Sequence, residues 1–313
     1  MTSDPPYQFS TLGLDRDRFK RAGKNGWRGP CPRCAGNRHL LIFTDKQFPR
    51  WNYECQCCGM KGWADQLNAA VRVELTPEEK RRYAQATAAD EAETERARLA
   101  RLGEYTAAEL WTAYAARMTA DHRAWWEEQG VPLDWQAYLR IGYEPSRGYC
   151  DDDGILHHSR AYSIPYWHTG FKFVTMQYRL FDPPTITDRY RWEKGLGTAY
   201  YQAEPQNAIG PQVIICEGAK KAIVTATRTD ESFSVLGVPS KSDFGGVVDA
   251  VKDAERVYVL LDPDAGYRAD KLARAIGPAA RVVDLAVKVD DGFTRHGLTN
   301  KLLQDALRYA RPM

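Results

Sequence analysis

The sequence predicts a multidomain α+β protein, in which a small β ribbon and a helical linker precede an α/β core with a mostly parallel sheet. Two closely spaced cysteine pairs near the N-terminus predict the ribbon, because such pairs are typical of small metal-stabilised modules. Residues 77–102 are rich in Ala, Glu and Arg, as in a solvated helix. Beyond residue 211, short apolar runs alternate with helical segments, which indicates parallel strands joined by crossover helices.

Length and composition agree with several domains. A chain of 313 residues with 43% hydrophobic content can bury two or three cores. We expect the ribbon over residues 1–75, the linker over 76–104, the first part of the core over 105–208 and the α/β part over 209–313. No charged-then-apolar leader and no membrane-spanning run are found, so we expect a cytoplasmic protein without a membrane partner.

The cysteine spacing predicts a metal site. Two C-x₂-C pairs are separated by 20 residues, and their members are Cys31, Cys34, Cys55 and Cys58. Four thiolates in this pattern fit a tetrahedral structural Zn²⁺ site, whereas disulfides are disfavoured in a chain that nothing marks as secreted. Cys57 could replace Cys55 or Cys58, although the C-x₂-C spacing favours the outer pair. His39 is expected on the ribbon surface rather than as a fifth ligand.

The segment around the cysteines is strongly basic. Residues 13–63 contain 11 Lys and Arg but 4 Asp and Glu, a charge of +7 in a chain whose total is +2. This asymmetry indicates a nucleic-acid contact surface. The basic and aromatic side chains that could bind single-stranded DNA are Arg38, Lys46, Arg50, Phe43, Trp51 and Tyr53. Alternatively, the three aromatic residues form the core of the ribbon, and we expect at least one of them to do so.

The helical linker has recognisable ends. Thr76 is a candidate N-cap before Pro77, a residue that favours the first helical position. Gly103 is the expected stop. Thr106 and Glu109 have the spacing of a second capping box, which would open the next helix.

Two apolar runs in the α/β part end in carboxylates. Residues 213–217 end in Glu217, and residues 257–264 end in Asp262 and Asp264. Sites in open α/β sheets lie just beyond the carboxyl ends of such strands, so these acids are expected at one edge. They would repel one another without cations, which predicts Mg²⁺ or Mn²⁺ and phosphate chemistry. The alternative is two ordinary strand ends with solvated acids.

The order of elements in this part can be sketched. Strands are expected at residues 212–216, 234–236, 256–261 and 281–287, and helices at 218–228, 267–276 and 298–310. Lys220 and Lys221 would lie in the first turn of a helix, where cations are disfavoured, which indicates a phosphate or carboxylate neighbour. Lys241, in a loop, is a further candidate phosphate contact.

The strand ends resemble the Toprim domain of DnaG-type primases, topoisomerases and some nucleases. The resemblance rests on Glu217 with Gly218 and on the D-x-D of Asp262 and Asp264 before Gly266. It implies that Glu217 is the catalytic glutamate and that the two aspartates bind metal. The segment from Lys288 through Asp290 and Asp291 resembles a late Lys-Asp-x-Asp segment of that family, which makes both aspartates candidate metal ligands.

The remainder of the chain is similar to phage and plasmid primases. The ribbon motif from Cys31 to Gly62 resembles their zinc ribbon, with a cysteine where cellular enzymes usually have histidine as the second ligand. The segment 173–179, followed by Arg189 and Tyr190, resembles the primase segment that precedes Toprim. The resemblance implies template contacts for Arg179, Arg189 and Arg191; the alternative is surface charge on a β-ribbon.

These resemblances imply a compact DnaG-like DNA primase of a phage, plasmid or related element, in bacterial or phage-infected host cytoplasm. Its partners would be a single-stranded DNA template, nucleoside triphosphates and a separate replicative helicase, because the chain has no P-loop. Its cofactors would be structural Zn²⁺ and catalytic Mg²⁺ or Mn²⁺. The rivals are a Toprim nuclease or topoisomerase-like cleaving enzyme, and a non-catalytic zinc-ribbon DNA-binding replication factor.

Overall fold

A computed structural model describes residues 9, 12–22, 26–34, 39–44, 51–67, 77–150, 155–183, 189–239, 244 and 246–312. The chain divides into two compact units. The first comprises residues 1–97 with 148–157, and the second comprises residues 98–147 with 158–313. Among the helices in these ranges, none combines the length and apolar character needed to cross a membrane.

The first unit contains a five-stranded antiparallel meander. Its strands follow one another in chain order: β1 (Lys20–Arg21), β2 (Gly26–Gly29), β3 (Leu40–Phe43), β4 (Asn52–Cys55) and β5 (Lys61–Trp63). One side of the meander covers an apolar core that includes Phe9, Trp27 and Ile42. The expected zinc ribbon is therefore present as a small β module with its own core.

Helix α1 (Pro77–Ala108) is longer than the sequence predicts. It continues through Gly103, although glycine costs about 1 kcal/mol in a helix interior. Tyr105, only 2% exposed, anchors the turn beyond the glycine, and this tertiary packing outweighs the propensity. The predicted capping box is wrong, since the Thr106 hydroxyl donates to the Leu102 carbonyl inside the helix. The proposed N-cap Thr76 lies outside the described residues.

A buried carboxylate fastens the end of α1 within the second unit. Glu193 is 2% exposed and pairs with Arg147 at 2.8 Å and with the more exposed Arg101 at 3.2 Å. The Tyr178 hydroxyl donates to Glu193 at 3.0 Å and lies 3.3 Å from the Tyr105 hydroxyl. Burial raises the pKa of Tyr178, so its hydroxyl remains protonated and available as a donor.

Glu193→Ala is expected to destabilise the second unit by about 2–4 kcal/mol, because it leaves the partly buried Arg147 without its counter-charge. The Arg101 pair adds less, because that side chain is 44% exposed. Urea unfolding would measure the change, with the exposed Glu255→Ala as control. A loss no greater than that of the control would contradict the prediction.

Three short helices and most of a four-stranded sheet form the first part of the second unit, and the sheet's residues within 148–157 belong to the first unit. The helices are α2 (Leu110–Ala116), α3 (Ala120–Glu128) and α4 (Leu133–Tyr138). The strands lie in the order β6 (Gly142–Cys150), β7 (Leu156–His168), β8 (Lys172–Leu180) and β9 (Tyr190–Trp192), and the β7–β8 and β8–β9 pairs are antiparallel. Strands β7 and β8 form a hairpin, with Ile164 opposite Gln177.

A six-stranded sheet forms the remainder of this unit. Its strands are β10 (Tyr201–Gln202), β11 (Gln212–Glu217), β12 (Phe233–Val238), β13 (Arg256–Leu260), β14 (Ala280–Val282) and β15 (Arg311–Pro312), in the spatial order 10-12-11-13-14-15. The four central strands are parallel, as predicted, whereas both edge strands are antiparallel. Strand β14 is shorter than the predicted 281–287.

Five helices accompany this sheet: α5 (Ala219–Ala226), α6 (Val247–Ala250), α7 (Gly266–Ile276), α8 (Val289–Arg295) and α9 (Asn300–Arg308). Helix α8 was not predicted. Alternate residues of β11 enter two separate cores, with Ile214 and Cys216 in one and Val213 and Ile215 in the other. Burial on both faces explains why this strand reads as a continuous apolar run.

Candidate functional site

The register of the parallel sheet brings the predicted acids together. Glu217 is the last residue of β11, and Asp262 follows the neighbouring β13 by two residues. Cys216 lies opposite Leu260, so both acids leave the sheet at the same edge. Asp262 is 5% exposed, which is unusual for a carboxylate that is not paired or ligated.

The turn that carries Glu217 depends on two glycines. Gly218 has a φ of +81° and donates its N–H to the Val238 carbonyl at 2.9 Å. A Cβ at Gly237 would lie 2.7 Å from the Gly218 carbonyl oxygen, closer than side-chain carbons approach. Only glycine at 237 therefore allows β12 to run beside this turn.

Three lysines neutralise the carboxylates. Lys221 lies 3.1 Å from one oxygen of Asp262, and Lys288 lies 3.2 Å from the other. Lys220 lies 2.7 Å from Asp290, the second residue of α8. The carboxylate neighbours expected for Lys220 and Lys221 are therefore present, and they offset the unfavourable helix dipole.

The charges at this edge shift the pKa values of their neighbours. Burial opposes the charge of Lys221, but Asp262, Asp290 and Glu217 outweigh it and raise its pKa. Burial likewise acts against ionised Asp290, yet Lys220 and Lys221 lower its pKa. Both groups are therefore charged at neutral pH. Burial raises the pKa of Cys216 to about 12, which makes it a neutral thiol.

These side chains line a cavity of about 580 Å³ that is rich in charge. Six basic and four acidic side chains face it. With its three uncharged lining residues, the set is Arg179, Arg189, Lys220, Lys221, Lys288, Arg295, Glu217, Asp262, Asp290, Asp291, Trp125, Gln129 and Tyr190. The basic excess and the convergent carboxylates suit an anionic ligand that carries a divalent cation.

Other predicted residues lie elsewhere. Asp264 is exposed in the 3₁₀ turn Pro263–Ala265 and does not line the cavity. Arg191 is half-buried on β9, also outside the lining. Lys241 lies outside the described residues. Of the two acids of the D-x-D motif, Asp262 therefore lines the cavity and Asp264 does not.

Sequence reasoning missed several members of the lining. Trp125 forms part of the cavity wall, where the Arg179 guanidinium lies 4.4 Å from its ring centroid. Trp125 also stacks on Tyr162, with ring centroids 4.9 Å apart. Gln129 and Arg295 also line the cavity. Their only sequence signal is that each follows another lining residue by four positions, Trp125 and Asp291 respectively, as on one face of a helix.

The cysteine cluster of the first unit has the dimensions of a zinc site. The sulfur atoms of Cys31 and Cys58 are 3.8 Å apart, those of Cys34 and Cys55 are 3.6 Å apart, and all four lie within 4.8 Å of one another. Tetrahedral zinc with bonds of about 2.3 Å requires sulfurs about 3.8 Å apart. The hydrogen bond between Cys31 and Cys55 lowers the pKa of Cys55 and raises that of Cys31, so Cys55 is the first of the two to form the thiolate that binds Zn²⁺.

Two neighbours of the cluster fall into a second group. His39 and Cys57 lie within 4.8 Å of Cys34, measured between candidate ligand atoms. This second group shares only Cys34 with the group formed by the two C-x₂-C pairs. The two pairs together therefore supply four sulfur atoms, whereas the second group supplies two sulfurs and one histidine nitrogen. This arrangement agrees with the preference for Cys58 over Cys57, which stays a prediction.

The predicted DNA-stacking role of Trp51 is wrong. Trp51 and Tyr53 are 4% and 3% exposed and belong to the ribbon core, which confirms the core alternative for both. Phe43 is 39% exposed and remains on the surface. The basic residues proposed beside them, Arg38, Lys46 and Arg50, lie outside the described residues.

Comparison with known proteins shows where this fold has been seen before. No protein-family model matches the chain, and no curated protein sequence matches it significantly. The crystal structure of the zinc-binding and RNA polymerase domains of Aquifex aeolicus primase aligns with a TM-score of 0.53 and 13% identity, over 99% of this chain and 84% of that chain.

Two further solved structures align with about two thirds of this chain at similar scores. The RNA polymerase domain of Mycobacterium tuberculosis primase DnaG gives a TM-score of 0.51 and 15% identity, over 68% of this chain and 84% of that chain. The E. coli primase catalytic core gives 0.51 and 14%, over 65% and 79%. The chain therefore has the fold of the zinc-binding and RNA polymerase domains of DnaG-type primases.

Proposed function

We propose that this protein is a DNA primase, which makes short RNA primers on a single-stranded DNA template by metal-dependent nucleotidyl transfer. The observation that carries the proposal is the convergence of Glu217, Asp262 and Asp290 with six basic side chains in one cavity of a primase fold. The Toprim resemblance of the strand ends supports the same reaction. Phosphoryl-transfer sites act mainly by positioning and charge stabilisation, which this combination of groups can supply.

The acidic side chains fit a hard divalent cation. Carboxylate oxygens are the ligands that Mg²⁺ and Mn²⁺ prefer. Asp290 is 4% exposed, and its Oδ1 has no hydrogen-bond partner among the described residues. We therefore propose Glu217, Asp262 and Asp290 as the residues that would hold the cation, with Asp291 at the cavity wall and Asp264 as an outlying candidate. A bound cation would neutralise phosphate charge and stabilise the leaving oxygen.

The basic residues would position the nucleic acid and the nucleotide. Arg179, Arg189 and Arg295 line the cavity and carry permanent charges that match phosphate oxygens. Trp125 holds the Arg179 guanidinium on one face, so the arginine reaches a phosphate or a base in a defined orientation. Glu217, at the end of β11, would complete the cation site or accept the proton of the attacking 3′-hydroxyl.

The direct test is primer synthesis by the zinc-loaded protein. Mixed-sequence single-stranded DNA, labelled nucleoside triphosphates and Mg²⁺ or Mn²⁺ are incubated with the protein, and the products are resolved by length. Short labelled oligomers that require template and divalent cation are expected. DNA cleavage without nucleotides would instead support the nuclease, and DNA binding without either reaction would support the non-catalytic replication factor.

Arg179→Ala is expected to weaken binding of single-stranded DNA by about tenfold and to reduce the salt dependence of binding by about one phosphate contact. Fluorescence anisotropy with a labelled oligonucleotide at several salt concentrations would measure both effects. The matched control is Arg256→Ala, an exposed arginine at the start of β13, the end of that strand remote from Asp262. An equal loss of DNA affinity in both variants would contradict the assignment of Arg179 to the DNA site.

A further inference from the structure

Asp262 is already fully engaged by cations that belong to the protein. Each of its two oxygens has an ammonium group within 3.2 Å, from Lys221 on one side and Lys288 on the other. The side chain of Lys221 is 16% exposed and that of Asp262 is 4% exposed, so water screens this pair weakly. A divalent cation that binds Asp262 would compete with Lys221, which is largely buried, and with Lys288, whose side chain is 49% exposed.

Lys221 lies where a shared cation would be expected. Its ammonium lies 3.1 Å from Asp262, and Asp290 and Glu217, which line the same cavity, also favour its charge. Among the described residues, the groups of three or more candidate ligand atoms within 4.8 Å contain cysteines and histidine but not these carboxylates. The carboxylates are therefore arranged around the lysine rather than gathered to chelate a metal ion together.

The protein itself supplies positive charge beside these carboxylates. Glu217, Asp262 and Asp290 carry three negative charges, Lys220, Lys221 and Lys288 supply three positive ones, and the whole lining has six basic and four acidic side chains. One buried acceptor remains, because Asp290 Oδ1 has no hydrogen-bond partner among the described residues while its other oxygen binds Lys220. A further cation would interact most favourably with this oxygen, because it is the acceptor that lacks a hydrogen bond.

We propose that Lys221 is a resident counter-cation, whose ammonium takes the place of one divalent cation among Glu217, Asp262 and Asp290. The protein without nucleotide then binds one divalent cation fewer at these carboxylates than a variant that lacks the ammonium. Any additional cation enters with the phosphates of the nucleotide, as is usual for Mg²⁺ held by one or two carboxylates. The identity of the metal rests on the proposed function, whereas the arrangement of charges is independent of it.

The test counts bound Mn²⁺ by electron paramagnetic resonance in zinc-loaded protein, without DNA or nucleotide. Lys221→Met is expected to bind one Mn²⁺ more than the wild type. Asp262→Asn is expected to bind the wild-type number, because Asp262 holds lysines rather than an ion in this state. Lys301→Met removes an exposed lysine from α9 and is expected to leave the number unchanged.

Two results would overturn the proposal. One is a Lys221→Met protein that binds the same number of ions as the wild type, whatever their affinity. The other is loss of an ion in Asp262→Asn, and this variant decides the question even if Lys221→Met fails to fold. The metal count uses no nucleotide, so it can be interpreted even if the protein fails to synthesise primers. Conversely, an unexpected metal count would not decide whether the protein synthesises primers, which its own assay tests.

Discussion

Asp262→Asn is expected to lower the rate of primer synthesis by about 10²–10³-fold, the usual loss when one preorganised charge is removed from a reaction centre. Asp262 is 5% exposed at the sheet edge, and it holds Lys221 and Lys288 by direct contacts. The neutral amide has nearly the same shape but leaves both ammonium groups without their carboxylate. The steady-state rate of oligomer formation at saturating template and nucleotide would measure the loss.

Two further aspartates make this prediction specific. Asp249→Asn removes an exposed carboxylate on α6 and is expected to retain the wild-type rate. Asp264→Asn tests the second acid of the D-x-D motif, and we expect a loss of less than about tenfold because Asp264 is exposed outside the cavity. A loss at Asp264 as large as that at Asp262 would show that the turn after β13 rearranges when substrate binds.

Cys34→Ser is expected to release zinc and to unfold the β ribbon. Structural zinc contributes about 10–16 kcal/mol in zinc-finger peptides, more than the whole stability of a small domain. Cys34 is buried in the ribbon core together with Trp27 and Trp51, so loss of the metal opens that core. Zinc content by mass spectrometry and limited proteolysis would follow the change, with new cleavage expected between residues 26 and 67.

The second unit provides the internal standard for this experiment. Its cores contain none of the zinc ligands, so its protease resistance is expected to persist. Cys150→Ser changes an exposed cysteine and Cys57→Ser changes a neighbour of the cluster, and both variants are expected to retain zinc. Loss of zinc in Cys57→Ser, with zinc retained in a Cys58→Ser protein, would reverse the ligand assignment.

The features that local sequence determines were predictable. The spacing of the C-x₂-C pairs specifies the zinc site, because each pair can form a tight turn without help from distant residues. The apolar runs that end in Glu217 and Asp262 identify buried parallel strands, and strand order along the chain places both acids at one edge of the sheet.

Local signals failed where distant contacts compete with them. Gly103 predicts a helix end, but burial of Tyr105 carries α1 onward to Ala108. Trp51 was a candidate both for stacking on DNA and for the ribbon core, and the small ribbon has its ring in the core. At Gly103, apolar burial outweighs a helix preference worth about 1 kcal/mol.

The sequence by itself determined the modules of this protein, its zinc ligands and the strand ends that carry its acids. Only the tertiary structure decided that Lys221 and Lys288 form ion pairs with Asp262, that Asp264 lies outside the cavity, and that the Arg179 guanidinium lies over the Trp125 ring. The reason is physical. Ion pairs and ring contacts between distant segments depend on side-chain directions at element ends, and those directions are set by the packing of the whole unit rather than by local spacing.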